Sequence, residues 1–272
     1  MAVLGGAAFA RSDPETTAAS FAEALGAGVN HLDVAPQYGW AQELLGPLIP
    51  AVRDELFVAC KTLRHDPAGV RAQLEESLTL LRCDSFDLYQ LHAVTDLVEL
   101  DARSRAVEAI LAARDEGLTR WVGITGHEHT TPAAQLEALR RYDLDTVMFP
   151  VYPRLWADPD YRRDAEALLE YTAEHDVGVM AIKAAAARPW AGRAATADTW
   201  YEPWTAAADV TRGVRFALST PGVHAFCTPG DTRVLSAALA AADDYAPLTT
   251  DEREAAVDAM AGESSIYPMA PA

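Results

Sequence analysis

Eight short apolar runs, each followed by a stretch with helical periodicity, constrain the fold of this chain. They are expected to be strands over residues 3–8, 31–33, 56–61, 85–92, 120–125, 145–150, 177–183 and 223–228. Their apolar character is nearly continuous, as is typical of strands buried on both faces of a parallel sheet. Doubly wound sheets also alternate strands with helices, but seldom through eight units without a long interruption. The pattern therefore predicts a closed (β/α)8 barrel, a TIM barrel of the α/β class.

The breaks between the runs agree with one continuous domain. Asp13 stands before Pro14, which is the order of a helix N-cap and a first helical residue. The longest interruption covers about residues 187–209, is rich in Trp, Ala and Thr, and is expected to be a βα loop over the mouth of the barrel. Because no linker or charge block divides the chain, residues 1–272 are predicted to form a single barrel domain with a short C-terminal tail.

Composition and charge exclude several classes of partner. The chain has 22 basic and 40 acidic side chains and a formal charge of −18, which disfavours nucleic acid or anionic lipid as the main partner. Its three cysteines, Cys60, Cys83 and Cys227, lack any metal-ligand spacing and are expected to be buried thiols in a reducing compartment. No secretory leader pattern opens the sequence and no apolar run is long enough to span a bilayer, so we expect a cytoplasmic protein.

The chain has only two lysines, Lys61 and Lys183, and all its other basic residues are arginines. Each lysine ends an apolar run, where a barrel presents its functional groups. A lysine ammonium is compact and its pKa responds to its surroundings, whereas arginine is effectively always charged. The two lysines are therefore the first candidates for a chemical role.

Polar side chains follow neighbouring apolar runs at the predicted mouth. Asp33 and Tyr38 follow the second run, Lys61 ends the third and His92 ends the fourth. An ammonium beside a phenol favours the phenolate, so we expect Lys61 to lower the pKa of Tyr38 and the carboxylate to hold the lysine charged. An imidazole can hydrogen-bond a substrate oxygen and help to share the proton. The set predicts a site that handles a carbonyl or alcohol oxygen.

Two further groups of residues at the mouth are open to more than one interpretation. His127 and His129 form an HxH motif, but no further ligand at a suitable spacing follows, so we predict no metal site and treat both as loop residues. Aromatic residues after the sixth and seventh runs either line a pocket for an apolar or sugar-like carbonyl or pack the loop. These substrate-binding candidates are Tyr152, Trp190, Trp200 and Trp204.

Taken together, the motifs resemble the aldo-keto reductase superfamily over nearly the whole chain. The resemblance is carried by residues 31–39 (HLDVAPQYG), 56–62 (LFVACKT), 74–78 (LEESL) with Leu81 and Asp84, 87–92 (DLYQLH) and 120–125 (RWVGIT). The family's four catalytic positions fall on Asp33, Tyr38, Lys61 and His92. The resemblance implies hydride transfer between a nicotinamide cofactor and a carbonyl carbon, as in an aldehyde or ketone reductase or an alcohol dehydrogenase. Tyr38 would donate the proton, Lys61 with Asp33 would tune it, and His92 would orient the carbonyl.

The resemblance also implies NADP(H), or else NAD(H), in an extended groove, and no GxGxxG motif follows any run. The cofactor positions match the family less well. Thr125-Gly126 stands where the family often has Ser-Asn, Met148 where it often has Gln, and Ile182 where it has a stacking aromatic. Arg233 is the one cation left for a 2′-phosphate, which Asp231 would repel unless it faces away as a helix cap. The implied cofactor-binding residues are Thr125, Lys183, Thr228, Gly230, Thr232 and Arg233.

Two other functions remain open at this stage. One is a catalytically silent barrel that binds a nucleotide or a partner, which the altered cofactor positions favour. The other is a metal-dependent barrel hydrolase or isomerase, which needs a ligand cluster that the sequence does not display. The sequence leaves open the identity of the small carbonyl or alcohol substrate, the choice between NADP and NAD, the direction of the reaction and the oligomeric state.

Overall fold

The computed structural model describes residues 1–267, so the last five residues of the predicted C-terminal tail lie outside the described part. Eight parallel strands close into a barrel in the order β1-β2-β3-β4-β5-β6-β7-β10, with β10 pairing back to β1. The barrel strands are β1 Ala2–Gly5, β2 His31–Asp33, β3 Phe57–Thr62, β4 Phe86–Leu91, β5 Thr119–Thr125, β6 Thr146–Pro150, β7 Gly178–Ile182 and β10 Ala225–Cys227. The predicted (β/α)8 barrel is therefore confirmed.

Helices surround the barrel and fill most of the connections between its strands. They are α1 Pro14–Gly26, α2 Ala41–Leu45, α3 Pro67–Leu81, α4 Leu97–Ala102, α5 Ser104–Asp115, α6 Thr131–Arg141, α7 Pro153–Trp156, α8 Pro159–Glu174, α9 Ala207–Leu218, α10 Leu235–Asp243 and α11 Thr250–Met260. The Asp13 carboxylate accepts from Thr16 N at 2.8 Å, so it caps α1 as the sequence predicts. Within residues 1–267, no helix has both the length and the apolar character that crossing a bilayer requires.

Two apolar clusters occupy the two faces of the barrel wall. Successive strand residues point to opposite faces, so in β3 Val58 belongs to the larger cluster and Ala59 to the smaller one. The larger cluster includes Leu74 of α3 and Val107 of α5 and therefore lies between strands and helices. The smaller cluster fills the barrel interior with Val3, Ala59, Leu88, Met148, Met180, Ile182, Ala225 and Cys227.

The connection after β7 differs from the expected irregular loop. It contains a two-stranded antiparallel hairpin of β8 Ala186–Pro189 and β9 Tyr201–Pro203, and α9 begins at Ala207. Arg188 Nε of β8 donates to Glu202 Oε2 of β9 at 2.9 Å. We call residues 186–203 the lid hairpin, because its inner side covers part of the barrel mouth.

Candidate active site

Parallel strand pairing brings three of the predicted catalytic residues to one edge of the barrel. Asp33 ends β2 and lies opposite Ala59 of β3, two residues before Lys61. Lys61 lies opposite Gln90 of β4, two residues before His92. The carboxyl ends of β2, β3 and β4 therefore present a carboxylate, an ammonium and an imidazole side by side.

Tyr38 reaches the same edge from the loop after β2. Tyr38 N donates to Ala35 O at 3.0 Å, and Trp40 N donates to Ala10 O at 3.1 Å. Gly39 between them has a φ of 48°, and a Cβ there would lie only 2.1 Å from Ala10 O. Since a larger residue does not fit this turn, glycine lets the loop pack tightly and holds the phenol at the mouth.

Lys61 and Asp33 form an ion pair inside the barrel mouth. Lys61 Nζ donates to Asp33 Oδ2, and the two residues are only 1% and 3% exposed. Burial by itself lowers the pKa of Lys61, but the Asp33 carboxylate, together with Tyr38 and Cys227, outweighs it and the pKa is raised. The lysine is thus held charged, as expected from the sequence. Asp33 Oδ1 is buried and has no hydrogen-bond partner among the described residues.

The environment of Tyr38 differs from the sequence-based expectation. Lys61 Nζ lies 5.4 Å from the centroid of the Tyr38 ring. Burial raises the pKa of Tyr38 to about 12, and although the charge of Lys61 lowers it, that effect is too small to reverse the shift. The expected net lowering of this pKa is therefore wrong for the protein without ligands. The charge of Lys61 keeps the pKa of Tyr38 lower than burial alone would make it.

His92 stands beside Tyr38 as a neutral imidazole. The two rings meet edge to face with centroids 5.7 Å apart. Burial, and next the charge of Lys61, hold the pKa of His92 well below its usual range. His92 Nδ1 lies 3.2 Å from Gln37 Oε1. The Gln37 amide sets the tautomer, because Nδ1 donates when the amide oxygen faces it and accepts when the amide nitrogen does. In the second arrangement Nε2 carries the proton and can donate it to a substrate oxygen.

The four predicted catalytic residues line one pocket at the barrel mouth, which we call the mouth pocket. The space inside it, with its opening to solvent, is about 1100 Å³. Of the predicted cofactor-binding and substrate-binding residues, the pocket is also lined by Thr125, Lys183, Thr228, Gly230 and Trp200. Met148, Ile182 and Cys227 of the interior cluster contribute its apolar floor. The structure therefore brings most of the predicted site residues together.

Three of the predicted substrate-binding residues do not line the mouth pocket. Tyr152 is fully buried, and its OH accepts from Ile266 N at 3.4 Å. Trp190 Nε1 donates to Thr199 O at 2.9 Å and so braces the lid hairpin from within. Trp204 packs against the apolar core. The structure corrects the substrate-binding prediction at these three positions, which stabilise the loops around the pocket instead.

Two predicted cofactor-binding residues, Thr232 and Arg233, lie outside the mouth pocket. The Arg233 guanidinium binds the Asp231 carboxylate at 2.5 Å and donates to Thr196 O at 2.7 Å. Asp231 Oδ2 also accepts from Asp198 N at 3.0 Å. Asp231 Oδ1 accepts from Arg233 N at 3.0 Å, so Asp231 is a cap, as its expected role requires. In this arrangement Arg233 ties the lid hairpin to the turn before α10 and leaves the pocket wall without its charge.

Sequence reasoning missed several residues of the pocket wall. Gln37 lies inside the 31–39 motif beside Tyr38, and its contact with His92 depends on how the loop turns at Gly39. Tyr201 was not chosen as a substrate-binding residue, although it is one of the aromatic residues of the predicted loop that were expected either to line a pocket or to pack the loop, and it reaches the pocket from the lid hairpin. Cys227 is the residue before the end of the eighth run, and this position was the one available signal.

The HxH motif separates into two different environments. His127 lines the mouth pocket, whereas the His129 ring lies against Tyr161 with centroids 5.7 Å apart. His129 Nδ1 is 3.9 Å from Asp158 Oδ2. In the part of the chain from Met1 to Tyr267, no three His, Cys, Asp or Glu side chains are grouped so that they could hold a metal ion.

Comparison with known proteins identifies the family. Residues 2–197 match the model of the aldo/keto reductase family, which is more than half of the chain, so the chain belongs to this family of oxidoreductases. It is 29% identical to the aldo-keto reductase YhdN of Bacillus subtilis over 136 residues, which cover 45% of the chain and 40% of the relative. It is 30% identical to an aldo-keto reductase of Mycobacterium avium over 182 residues, or 65% of the chain and 59% of the relative. The chain thus spans about half the length of the curated relatives it matches.

Solved structures show the same fold. An aldo-keto reductase from Bacillus halodurans in its holo form superposes with a TM-score of 0.72 over 97% of this chain and 93% of that one, at 20% identity. Aldose reductase from Giardia lamblia gives a TM-score of 0.71 over 98% and 94%, at 15% identity. At these identities the likeness establishes the barrel, and the chemistry has to be argued from the residues of this pocket.

Proposed function

We propose that this protein transfers a hydride between NADP(H), or else NAD(H), and a small carbonyl or alcohol substrate. The observation that carries the proposal is the buried Asp33–Lys61 ion pair beside Tyr38 and His92 in one pocket. A carbonyl oxygen that gains a hydride at its carbon becomes an alkoxide and needs a proton. In this pocket Tyr38 is the proton donor.

The ion pair gives Tyr38 its reactivity. The charge of Lys61 stabilises the phenolate that remains after proton transfer, and Asp33 keeps that charge in place. His92 is neutral, so with the Gln37 amide nitrogen turned to Nδ1 its Nε2–H can polarise the carbonyl without competing with Tyr38 as an acid. Because three of these residues stand on adjacent strands and the fourth on a tight turn, their positions are set before the substrate arrives.

The pocket wall fits the nicotinamide end of a dinucleotide. Its lining runs from Gln37 and His92 across the strand ends to Thr228 and Gly230. When bound, the cofactor supplies the hydride. At Gly126 a Cβ would lie 2.4 Å from Val94 O, so this backbone has no room for the amide side chain that the family often has there. In this chain the neighbouring Thr125 hydroxyl would bind the carboxamide.

A titration of protein fluorescence with NADPH and separately with NADH tests the proposal, followed by turnover of an aldehyde panel. We expect saturable binding of at least one nucleotide below about 1 mM, typical of enzyme ligands, and oxidation of that nucleotide with an aldehyde present. The absence of both binding and turnover would contradict the proposal.

A second candidate is a barrel that binds the nucleotide without turnover. It is favoured by Met148 and Ile182 at two cofactor positions and by the engagement of Arg233 with Asp231. Saturable binding with no oxidation of NADPH or NADH on any aldehyde would support this candidate and exclude the reductase.

A further inference from the structure

Lys183 is a charged side chain of the mouth pocket that the proposed proton transfer does not use. It follows β7 directly, and no carboxylate of the described chain is close enough to raise its pKa. Its Nζ lies instead 5.3 Å from the Trp200 ring centroid and 5.0 Å from that of Tyr201. Lys61, the other lysine of the pocket, is neutralised by Asp33. Lys183 is therefore a cation whose neighbours in the described part of the chain are aromatic faces rather than an anion.

The backbone at Lys183 indicates a constrained position. Its φ is 69°, a left-handed conformation that is uncommon for residues other than glycine and asparagine. The turn is closed by Ala186 N, which donates to Lys183 O at 2.9 Å. Such strained residues persist where the surrounding structure enforces them and cluster at binding sites. From this position the ammonium lies against the two lid aromatics, Trp200 and Tyr201.

His127 provides a second polar group on the same pocket wall. Its Nδ1 is buried and has no hydrogen-bond partner among residues 1–267. The charge of Lys183 acts on both His127 and His92, lowering the pKa of each after burial has done so. Lys183, His127 and His92 all line the mouth pocket, so the ammonium and the two imidazoles border the same space. An ammonium without an anionic partner among residues 1–267 is a site for an anion, and the neutral His127 imidazole adds a hydrogen-bond donor where its N–H faces that anion.

We propose that Lys183 and His127 form a carboxylate subsite, so that the preferred substrates are aldehydes or ketones that also carry a carboxylate. This inference rests on the proposed reductase function. The subsite would hold the acid group while Tyr38 and His92 bind the carbonyl oxygen. The formal charge of −18 repels anions from the chain as a whole, so the Lys183 ammonium has to supply the local attraction for the acid group.

The titratable groups around the subsite allow a pH test. The other titratable side chains that line the pocket are Asp33, Tyr38, Lys61, His92, His127, Asp198, Tyr201 and Cys227. Burial lowers the pKa of Lys183 to about 8, and Cys227 opposes this. Lys183 is charged below that pH and loses its charge above it. The pKa of His127 is lowered to about 3 and that of Tyr201 is raised by burial, so neither group changes its charge near pH 8. Selectivity for an acid should therefore fade above about pH 8 through Lys183.

The experiment uses ortho-, meta- and para-carboxybenzaldehyde and the methyl ester of each as a neutral match. For at least one isomer we expect kcat/KM to favour the acid over its ester at pH 7, and Lys183→Met to reduce that ratio about tenfold, the loss of one charge-assisted hydrogen bond. Lys183→Arg should keep the preference and extend it above pH 9, because arginine does not deprotonate there. The pH dependence of the wild-type ratio is an independent readout if the Met variant does not fold.

The outcomes separate this inference from the function on which it rests. Turnover of neither acids nor esters by the wild-type protein would contradict the reductase function itself. Turnover of both, with an acid-to-ester ratio that neither Lys183→Met nor pH changes, would overturn the carboxylate subsite alone. Lys183→Met could also weaken NADPH affinity, measured without substrate, while leaving the ratio unchanged. In that case a cofactor phosphate occupies the anion site, and the substrate assignment is overturned.

Discussion

Lys61 donates to Asp33 in a position where the two residues are 1% and 3% exposed, so the pair has almost no water to share its charges. Around it lie apolar residues of the barrel interior, including Ala59 and Cys227. In such surroundings each charge depends on the other, because an unpaired buried ion costs several kcal/mol. The pair that tunes Tyr38 is therefore also a structural element of the barrel mouth.

Removing one member of this pair should destabilise the fold. We expect Lys61→Met to lower the free energy of unfolding by about 3–5 kcal/mol at pH 7, since it leaves the Asp33 carboxylate buried and unpaired. Urea denaturation measures the change. The double variant Asp33→Asn/Lys61→Met removes both charges and should be clearly more stable than Lys61→Met. Equal stability of the two variants would show that the charges are not coupled.

Replacing Tyr38 by phenylalanine should separate chemistry from folding. Because only the phenol oxygen is lost, we expect Tyr38→Phe to keep the urea midpoint and the nucleotide affinity. Its rate of carbonyl reduction should fall about a hundred- to ten-thousand-fold, which is the typical contribution of one general acid. Steady-state kinetics and fluorescence titration measure the two properties. Tyr245→Phe, on a surface residue outside the pocket, is the matched control. Substantial turnover by Tyr38→Phe would refute its role as proton donor.

The two lysines can be titrated individually by NMR, because the chain has no others. With lysine labelled by carbon-13 at Cε, we expect one resonance to titrate near pH 8, from Lys183. The other resonance, from Lys61, should keep the chemical shift of the protonated form up to about pH 10, because Asp33 raises the pKa of Lys61 above its usual value near 10.4. Lys183→Arg removes one signal and so assigns both. Two curves near the usual lysine value would contradict the contrast between the paired and the unpaired ammonium.

The positions of the catalytic residues are predictable from the sequence because barrel topology determines them. The second strand was predicted at residues 31–33, which are its bounds in the structure, and Lys61 and His92 also lie at the mouth as predicted. Parallel strands present their carboxyl ends at one edge whatever the loops do. The type of residue at the end of each apolar run is then enough to assemble the candidate site.

The loops could not be predicted in this way, because their contacts are not periodic. Strand β8 pairs with β9 through Arg188 and Glu202, 14 residues apart, and neither strand is long enough to leave an alternating pattern. Arg233 binds a carboxylate only two residues before it, yet the sequence could not show whether that side chain would face Asp231 or a phosphate. The pKa of Tyr38 likewise depends on the balance between burial and the distance to Lys61, which requires coordinates.

The contact of Arg233 with the lid hairpin leads to a prediction about dynamics. We expect Arg233→Ala to speed hydrogen exchange at the Asp198 amide about fivefold, the effect of losing roughly 1 kcal/mol of local hydrogen bonding. Because Arg233 is already paired with Asp231, the ratio of NADPH to NADH affinity should change less than about tenfold. Arg212→Ala, which breaks an ion pair on the surface with Asp209, is the control and should change neither property. A large loss of NADPH affinity alone would return Arg233 to the role of phosphate ligand.

Three histidines whose pKa values are lowered in the folded protein should make the fold sensitive to acid. Burial lowers the pKa of His31 and that of His127 to about 3, and it holds the pKa of His92 well below its usual range. The unfolded chain binds protons at these residues below about pH 6.5, whereas the folded chain does not. Because the unfolded state then holds more protons, the free energy of unfolding falls as the pH falls.

Each of these histidines contributes about 1.4 kcal/mol per pH unit once the pH is well below 6.5. Urea denaturation between about pH 6.5 and pH 5 measures the combined slope. His31 lies against Phe57 with ring centroids 4.4 Å apart, away from the mouth pocket, so His31→Gln removes one contribution without touching the site. Averaged over this range, we expect its slope to be shallower by about 1 kcal/mol per pH unit, because the unfolded histidine is only half protonated at pH 6.5. Equal slopes for His31→Gln and the unmodified protein would mean that the folded state already binds a proton at His31.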